Sequence, residues 1–360
     1  MSVRVDVAGT GTVFARGSSG AFNPASTEKL ITGYTALRVL GLRHRFRTRI
    51  GSTVAADPHG VLHGPLVVTA GGDPTLTDAG LDDLAHQLHA SGLRTVTRGI
   101  LLDDTLFARV RYAPVGTTTL DLGDPGPLSA FAVNRDSWRL DAGYRADPTV
   151  GNLQALRQAL AEAGVTVQGH VKVGRPAGAL RPLASTASEP LWAVVRDMLK
   201  TSVNFYAEML LLDVGAARGD GSLPGGVKAI RAEAAQLGVH LGGNMVDGSG
   251  LSTFDRQSAD GEVSWLEAIR RDRRLGPLID AGVPIGCVDG SLRYRFCAIP
   301  GRVHAKPGSL DGMRSLSGWV TNDAGHLVTF AFLLPGPLRL GLQARNAIDA
   351  AVQLLAASRL

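Results

Sequence analysis

The chain of 360 residues has two cysteines, which is too few for a disulfide-dense scaffold. Their spacing fits no zinc pattern, and no metal or cofactor is expected. Aromatic residues make up only 5% of the chain. No apolar run reaches the length of a membrane-spanning helix. No secretory signal stands at the start, where Val3, Val5 and Val7 already alternate as in a strand. The expectation is a trimmed or mature form, whose first residues do not reveal its compartment. G-x-S-x-G, the Walker A loop and G-x-G-x-x-G are all missing. A lipase-type elbow, a nucleotide triphosphatase and a dinucleotide fold therefore lack their markers. Internal repeats and low-complexity tracts are missing too.

Apolar residues make up 44% and charged residues 19%, the balance of a globular protein with enough length for two domains. The net charge of +5 favours anionic surroundings, whether nucleic acid, acidic lipid or an acidic wall polymer, and does not choose among them. In "GLRHRFRTRI", Arg43, Arg45, Arg47 and Arg49 alternate with Leu42, His44, Phe46 and Ile50. This period of two reads as a strand with a solvated basic face. Arg270 to Arg274 is read likewise as solvated. His86 and His89 form H-x-x-H on a helix with no third ligand nearby in sequence, again a solvated face. Cys287 and Cys297 are either a disulfide or two buried thiols.

Residues 3–16 read as a hairpin turning at Gly9 and Gly11. Thr27 to Leu40 is helical in pattern and stops at Gly41. From about residue 47 to 183, short strands such as "PLVVT", "GILLD" and "VTVQGHVKV" alternate with helices such as "LDDLAHQLHASG" and "NLQALRQALAEAG". A helical region follows from Glu189, and the chain ends in strands and a helix able to join the opening hairpin in one sheet. The reading is an α/β (α+β) protein: 1–46 and 184–360 form one split domain, and 47–183 is an inserted smaller α/β domain.

The chemistry concentrates in "FNPASTEKLIT". Ser26 follows Pro24 and precedes an apolar helical run, which locally reads as a helix N-cap. Lys29 stands three residues on, on the same helix face, within reach of the Ser26 hydroxyl. A desolvated lysine near other cations can act as a base toward a serine. Ser-x-x-Lys is weak alone. Two further pieces follow in order: Ser202-Val203-Asn204, expected in a loop between helices, and Lys306-Pro307-Gly308 on a strand. A serine nucleophile followed by S-D-N and K-T-G is the active-site set of β-lactamases and penicillin-binding proteins, and the order and spacing here fit it.

"FNPASTEKLIT", "GGDPTL", "DGSGLS", "GCVDGSLRYRF" and "AKPGSLDGMRSLSGWV" extend the agreement from Val3 to about Leu334. The chain resembles the class C low-molecular-mass penicillin-binding proteins, D-alanyl-D-alanine carboxypeptidase/endopeptidases with a domain inserted between the first and second motifs. The resemblance implies a DD-peptidase/β-lactamase-like domain, an antiparallel sheet flanked by helices. It implies an extracytoplasmic protein whose partners are peptidoglycan stem peptides and β-lactams rather than nucleic acid; a monomer is expected.

By the same resemblance, Ser26 is the nucleophile and Lys29 its base. Ser202 and Asn204 relay the proton and hold the substrate amide, and Lys306 supplies positive charge. Gly308 and Ser309 bind substrate, with the N–H groups of Ser26 and Ser309 as oxyanion hole. Asp247 is read as the cap of a turn near the cleft. Asp103, four residues before Phe107, is either a recognition group for a cationic stem-peptide side chain or an ordinary strand-end carboxylate. The inserted region is smaller than in many relatives. Pro307 also departs from the family, which carries Thr or Ser there, and puts carboxypeptidase strength in doubt. Two other readings remain: a β-lactamase or esterase on this scaffold, and a catalytically weak wall-binding protein.

Overall fold

The computed structural model describes residues 1–108, 126–137 and 148–360. β1 (Ser2–Val7) and β2 (Gly11–Arg16) make the opening hairpin. After the nucleophile segment come α1 (Lys29–Leu40), β3 (Arg47–Ser52), β4 (Val61–Leu62), β5 (Leu66–Thr69), α2 (Asp78–Ala90), β6 (Thr95–Val96) and β7 (Ile100–Asp103). Next are α3 (Pro148–Glu162), β8 (Thr166–Val167), β9 (Val171–Val173) and β10 (Arg181–Ala187). The helical stretch holds α4 (Leu191–Thr201), α5 (Asn204–Ala217), α6 (Leu223–Leu237), α7 (Ala259–Arg271) and α8 (Gly276–Gly282). β11 (Val303–Leu310), β12 (Met313–Thr321), β13 (Leu327–Pro335) and α9 (Gly341–Ala357) close the chain.

The two ends of the chain meet in one antiparallel sheet ordered β11-β12-β13-β1-β2, where Val3 pairs with Phe332 and Val5 with Phe330. Central β13 is apolar on both sides because both faces are covered. Phe330 and Phe332 lie with Ile348, Val352 and Ala356 of α9, while Ala331 and Leu333 lie with Ala259 and Val263 of α7. Burial of this kind contributes about 25 cal/mol per Å² of apolar surface and fixes the register of β11 at the sheet edge.

Among the described residues the middle of the chain forms a second sheet, β10-β3-β5-β7-β9, and a small parallel sheet, β4-β6-β8. Entry and exit of this region run side by side, with Arg47 paired to Ala187. The expected boundary at 183/184 therefore falls inside β10. "VTVQGHVKV" is two strands rather than the one expected. The chain changes sheet at Gly169 (φ 78°), alongside Gly99 (φ 75°), where a Cβ would come within 1.9 Å of the His170 carbonyl oxygen. The basic run is strand only from Arg47; Arg47 and Arg49 are exposed and Thr48 and Ile50 buried, as the alternation requires. Before it, Arg45 donates to the Ser188 carbonyl. One apolar core runs from α1 and α5 into β5 and α2, so the middle region shares its interior with the helices that carry the site. No helix of the described residues is long and apolar enough to cross a membrane.

Candidate active site

Ser26 does not cap a helix. It lies inside a short 3-10 turn, Ala25–Glu28, and its hydroxyl takes no backbone N–H. The oxygen is held instead by Lys29, whose Nζ donates to Ser26 Oγ at 2.8 Å. Ala25, just before it, sits at φ 50°, a left-handed conformation that costs a non-glycine residue on the order of 1–3 kcal/mol. The surroundings hold that strain. Asn23 Oδ1 accepts the Ala25 N–H at 2.7 Å, and the hydroxyls of Thr27 and Ser315 donate to the Pro24 carbonyl at 2.9 and 2.6 Å. Two glycines press on the turn from opposite motifs. A Cβ on Gly250 would lie 2.0 Å from the Ala25 carbonyl oxygen, and one on Gly308 would lie 2.8 Å from the Pro24 oxygen and 2.9 Å from Ala25 Cβ.

Lys29 is fully buried and uses its three ammonium hydrogens on Ser26 Oγ, on Asn204 Oδ1 at 2.5 Å and on the Ser249 carbonyl at 2.9 Å. Asn204 can reach it because Ser202, at φ 63°, ends α4 in a left-handed turn and α5 starts at Asn204. Residues two apart thereby both point to one place, as the loop between helices was expected to allow. Lys306 Nζ donates to Ser202 Oγ at 2.8 Å and to the Pro307 carbonyl at 2.9 Å. Burial, and then the charge of Lys29, hold the Lys306 amine well below the usual lysine range.

Asp247 caps its turn, as expected. Its carboxylate accepts the N–H groups of Ser249 (2.9 Å), Gly250 (2.7 Å) and Ser252 (2.7 Å), which aims the Ser249 carbonyl at Lys29. That carbonyl is part of the site and was not singled out from sequence; the Asp-Gly-Ser-Gly turn was the available signal. Thr27, Ser317 and Glu262 form a further buried set beneath the turn, with both hydroxyl oxygens within hydrogen-bond distance of the Glu262 carboxyl. Burial pushes that carboxyl up to about 7.

β11 is an edge strand, and its free side faces two ways. The Ala305 N–H donates to the Pro284 carbonyl, and the Val303 carbonyl accepts from Gly286 N–H. Odd-numbered residues therefore turn their backbone groups away from β12, and the segment ending in the Cys287–Cys297 disulfide covers them up to 305. At 307 and 309 the edge opens on a cleft of about 740 Å³ lined by Ser26, Asn204, Leu251, Arg256, Ser309 and Leu310, among others. Pro307 is tolerated because its missing N–H would have faced this open side. Ser309 is exposed there, with its backbone N–H on the same side as the cleft.

Gly308 and Asp103 are not among the residues that line this cleft, and neither are Lys29, Ser202 and Lys306. Gly308 is buried and outside the cleft lining; its lack of a side chain lets β11 lie against Pro24 and Ala25. Asp103 is half-buried at the end of β7, is not among the cleft residues, and accepts the Thr105 N–H (3.2 Å) and hydroxyl (2.6 Å). His86, on α2, is exposed and its Nδ1 meets only the Asp82 carbonyl.

A serine oxygen held by a buried lysine, with a second serine–lysine pair beside it at the open edge of an antiparallel sheet, is the arrangement of a serine acyl-transfer enzyme. The chain belongs to the D-Ala-D-Ala carboxypeptidase 3 (S13) family, whose model matches residues 2–138 and 142–358. Carboxypeptidase DacB of Mycolicibacterium smegmatis is 31% identical over 384 residues, 98% of this chain and 79% of that protein. A carboxypeptidase of Mycobacterium tuberculosis is 32% identical over 359 residues, 91% of this chain and 73% of that protein. Penicillin binding protein 4 (dacB) from Haemophilus influenzae shares the fold, with a TM-score of 0.90 at 20% identity over 99% of this chain and 96% of that one. Its complex with a β-lactam matches at a TM-score of 0.82 and 21% identity, with the same coverage.

Proposed function

We propose that the protein is a serine DD-peptidase that cleaves D-alanyl bonds of peptidoglycan stem peptides through a Ser26 ester and is acylated by β-lactams. The observation that carries this is the pair of contacts, Lys29 Nζ to Ser26 Oγ and Lys306 Nζ to Ser202 Oγ, each 2.8 Å, beside a cleft that Ser26 and Asn204 line. Lys29, as the free amine, takes the Ser26 proton while Oγ attacks the carbonyl carbon. The oxyanion rests between the N–H groups of Ser26 and Ser309. Lys29 and Ser202 hand the proton to the leaving nitrogen, the C–N bond breaks, and the amine departs. Water then attacks the ester and returns the proton to Ser26. The substrate backbone lies along the free edge of β11 at 307–309, adding as a strand. Lys306 holds Ser202 and contributes positive charge.

Residues 1–46 with the chain after β10 act as the split catalytic domain, and the stretch from Arg47 to the end of β10 acts as the insertion. The disulfide supports an oxidising, extracytoplasmic compartment. Pro307 offers neither hydroxyl nor N–H to a terminal carboxylate, which weakens carboxypeptidase action more than endopeptidase action on cross-links.

A fluorescent penicillin followed by peptide mapping tests the reading. The adduct is expected on the peptide carrying Ser26, persisting through gel analysis, and absent in Ser26→Ala. A folded wild-type protein that takes no label would refute it, and an adduct that turns over within seconds would move the reading to a β-lactamase.

A further inference from the structure

Beneath the nucleophile turn lies a group of acids that the proposed chemistry does not use. Glu28 comes from the turn itself; Asp247 and Asp255 flank the segment that presents the Ser249 carbonyl. All three are completely buried, and each offers an oxygen within 4.8 Å of the others'. Hydrogen bonding accounts for only some of these oxygens. Asp247 is served by the three backbone N–H groups described above, and Asp255 Oδ1 by the Val246 N–H at 2.7 Å. Asp255 Oδ2 and both oxygens of Glu28 have no partner. An unpaired buried carboxylate is expensive, on the order of several kcal/mol.

We propose that Glu28, Asp247 and Asp255 hold a hard divalent cation, calcium first, which ties the nucleophile turn to the turn at Asp247–Ser252. Oxygens within 4.8 Å of one another have about the spacing of ligands around one calcium ion, whose bonds are about 2.3–2.6 Å. Carboxylates alone, without imidazole or thiolate, select a hard cation over zinc or copper. Magnesium keeps several of its waters, which suits a fully buried site less well than calcium's irregular, carboxylate-rich shell. The ion would also sit near Glu208, a fourth buried carboxyl beside Asp247, and Lys29 acts on both of these carboxyls. Protons are the competing solution. Burial, followed by the neighbouring carboxylates, pushes Asp255 up to about 9 and Glu28 well above the usual range. A proton shared between Asp255 and Asp247 still leaves Glu28 with nothing to bond, which is why the ion accounts for more of the geometry.

The test is elemental analysis of the full chain, purified without chelator, then equilibrated with millimolar calcium or magnesium and desalted. Melting is followed with each salt and with EGTA or EDTA. About one equivalent of calcium is expected, with a melting temperature several degrees higher in calcium and lower in EGTA. Glu28→Gln and Asp255→Asn should each lower occupancy at least about tenfold. Magnesium in place of calcium upholds the site and changes the ion. A wild-type protein that holds neither metal, and whose melting no salt or chelator moves, overturns the proposal. So does a Glu28→Gln variant that melts higher than wild type in EGTA and calcium alike, since protons then occupy the cluster. Should either variant fail to fold, the wild-type stoichiometry decides alone. Penicillin labelling of wild type is read separately, so failure here leaves the peptidase reading standing.

Discussion

Gly308→Ala separates two roles for the third motif. The new methyl would stand 2.1 Å from Ser315 Oγ, 2.8 Å from the Pro24 carbonyl oxygen and 2.9 Å from Ala25 Cβ. The serine hydroxyl can rotate away. The backbone of the nucleophile turn cannot, because Asn23, Thr27 and Gly250 hold it. Restoring ordinary contact requires β11 and the turn to part by about 0.5 Å. Overpacking of this kind costs about 1–3 kcal/mol, a drop of a few degrees in Tm. A nucleophile displaced by a fraction of an ångström against its base and oxyanion donors loses roughly 10- to 100-fold in acylation rate. The assay is the second-order acylation constant with a fluorescent penicillin, alongside thermal melting. Ser315→Ala added to Gly308→Ala relieves the closest contact but leaves those to Pro24 and Ala25, so stability recovers in part and acylation stays slow. If Gly308 served only to admit substrate, KM would rise with Tm unchanged. A Gly308→Ala enzyme that melts like wild type and acylates within about twofold of it would refute the packing argument.

Other expected outcomes follow from the same geometry. Lys29→Met should slow penicillin acylation by at least about a hundredfold while Ser26 remains in place, and an unchanged rate would remove Lys29 as base. Pro307→Thr should raise D-alanine release from a pentapeptide relative to cross-link cleavage; no change dismisses the role given to the missing hydroxyl. Glu262 titrates at about 7 when folded against an ordinary 4.5, so the folded state binds the extra proton between those values. Stability from this group is complete below about 4.5 and is lost as pH rises through about 7, with a slope of at most about 1.4 kcal/mol per pH unit. Urea melts at pH 5 and pH 7.5 should show a smaller difference in Glu262→Gln than in wild type, and equal differences would contradict it.

Much of this protein was legible before any coordinates. Strands and helices that alternate or repeat with a clear period, such as β1, α2, α3 and α6, announce themselves because burial of one face imposes the period. The three motifs were legible for a different reason: a serine, lysines and an asparagine in fixed order are a chemical set, and chemistry constrains residue types tightly. Asp247 was legible as a turn former because its role is local, with its partners two to five residues away.

Contacts between distant segments were decided only by the folded chain. Ser26 looks like a cap when its neighbours are Pro24 and Glu28, and is something else once Lys29, Asn204 and the Gly250 turn surround it. Gly308 gives no sign in the sequence of Pro24 and Ala25, against which it packs in the folded chain. Glu28 is an ordinary first-turn acid in sequence, where a helix N-terminus favours it; only the arrival of Asp247 and Asp255 from more than two hundred residues away turns it into a buried, unpaired charge. Two cysteines were an open choice until Cys287 and Cys297 met. Periodicity and composition encode which face of an element is buried, and they carry no record of which other face buries it. That partner is chosen by the whole chain at once, through the registry of β1 on β13 and the packing of α1 against α5.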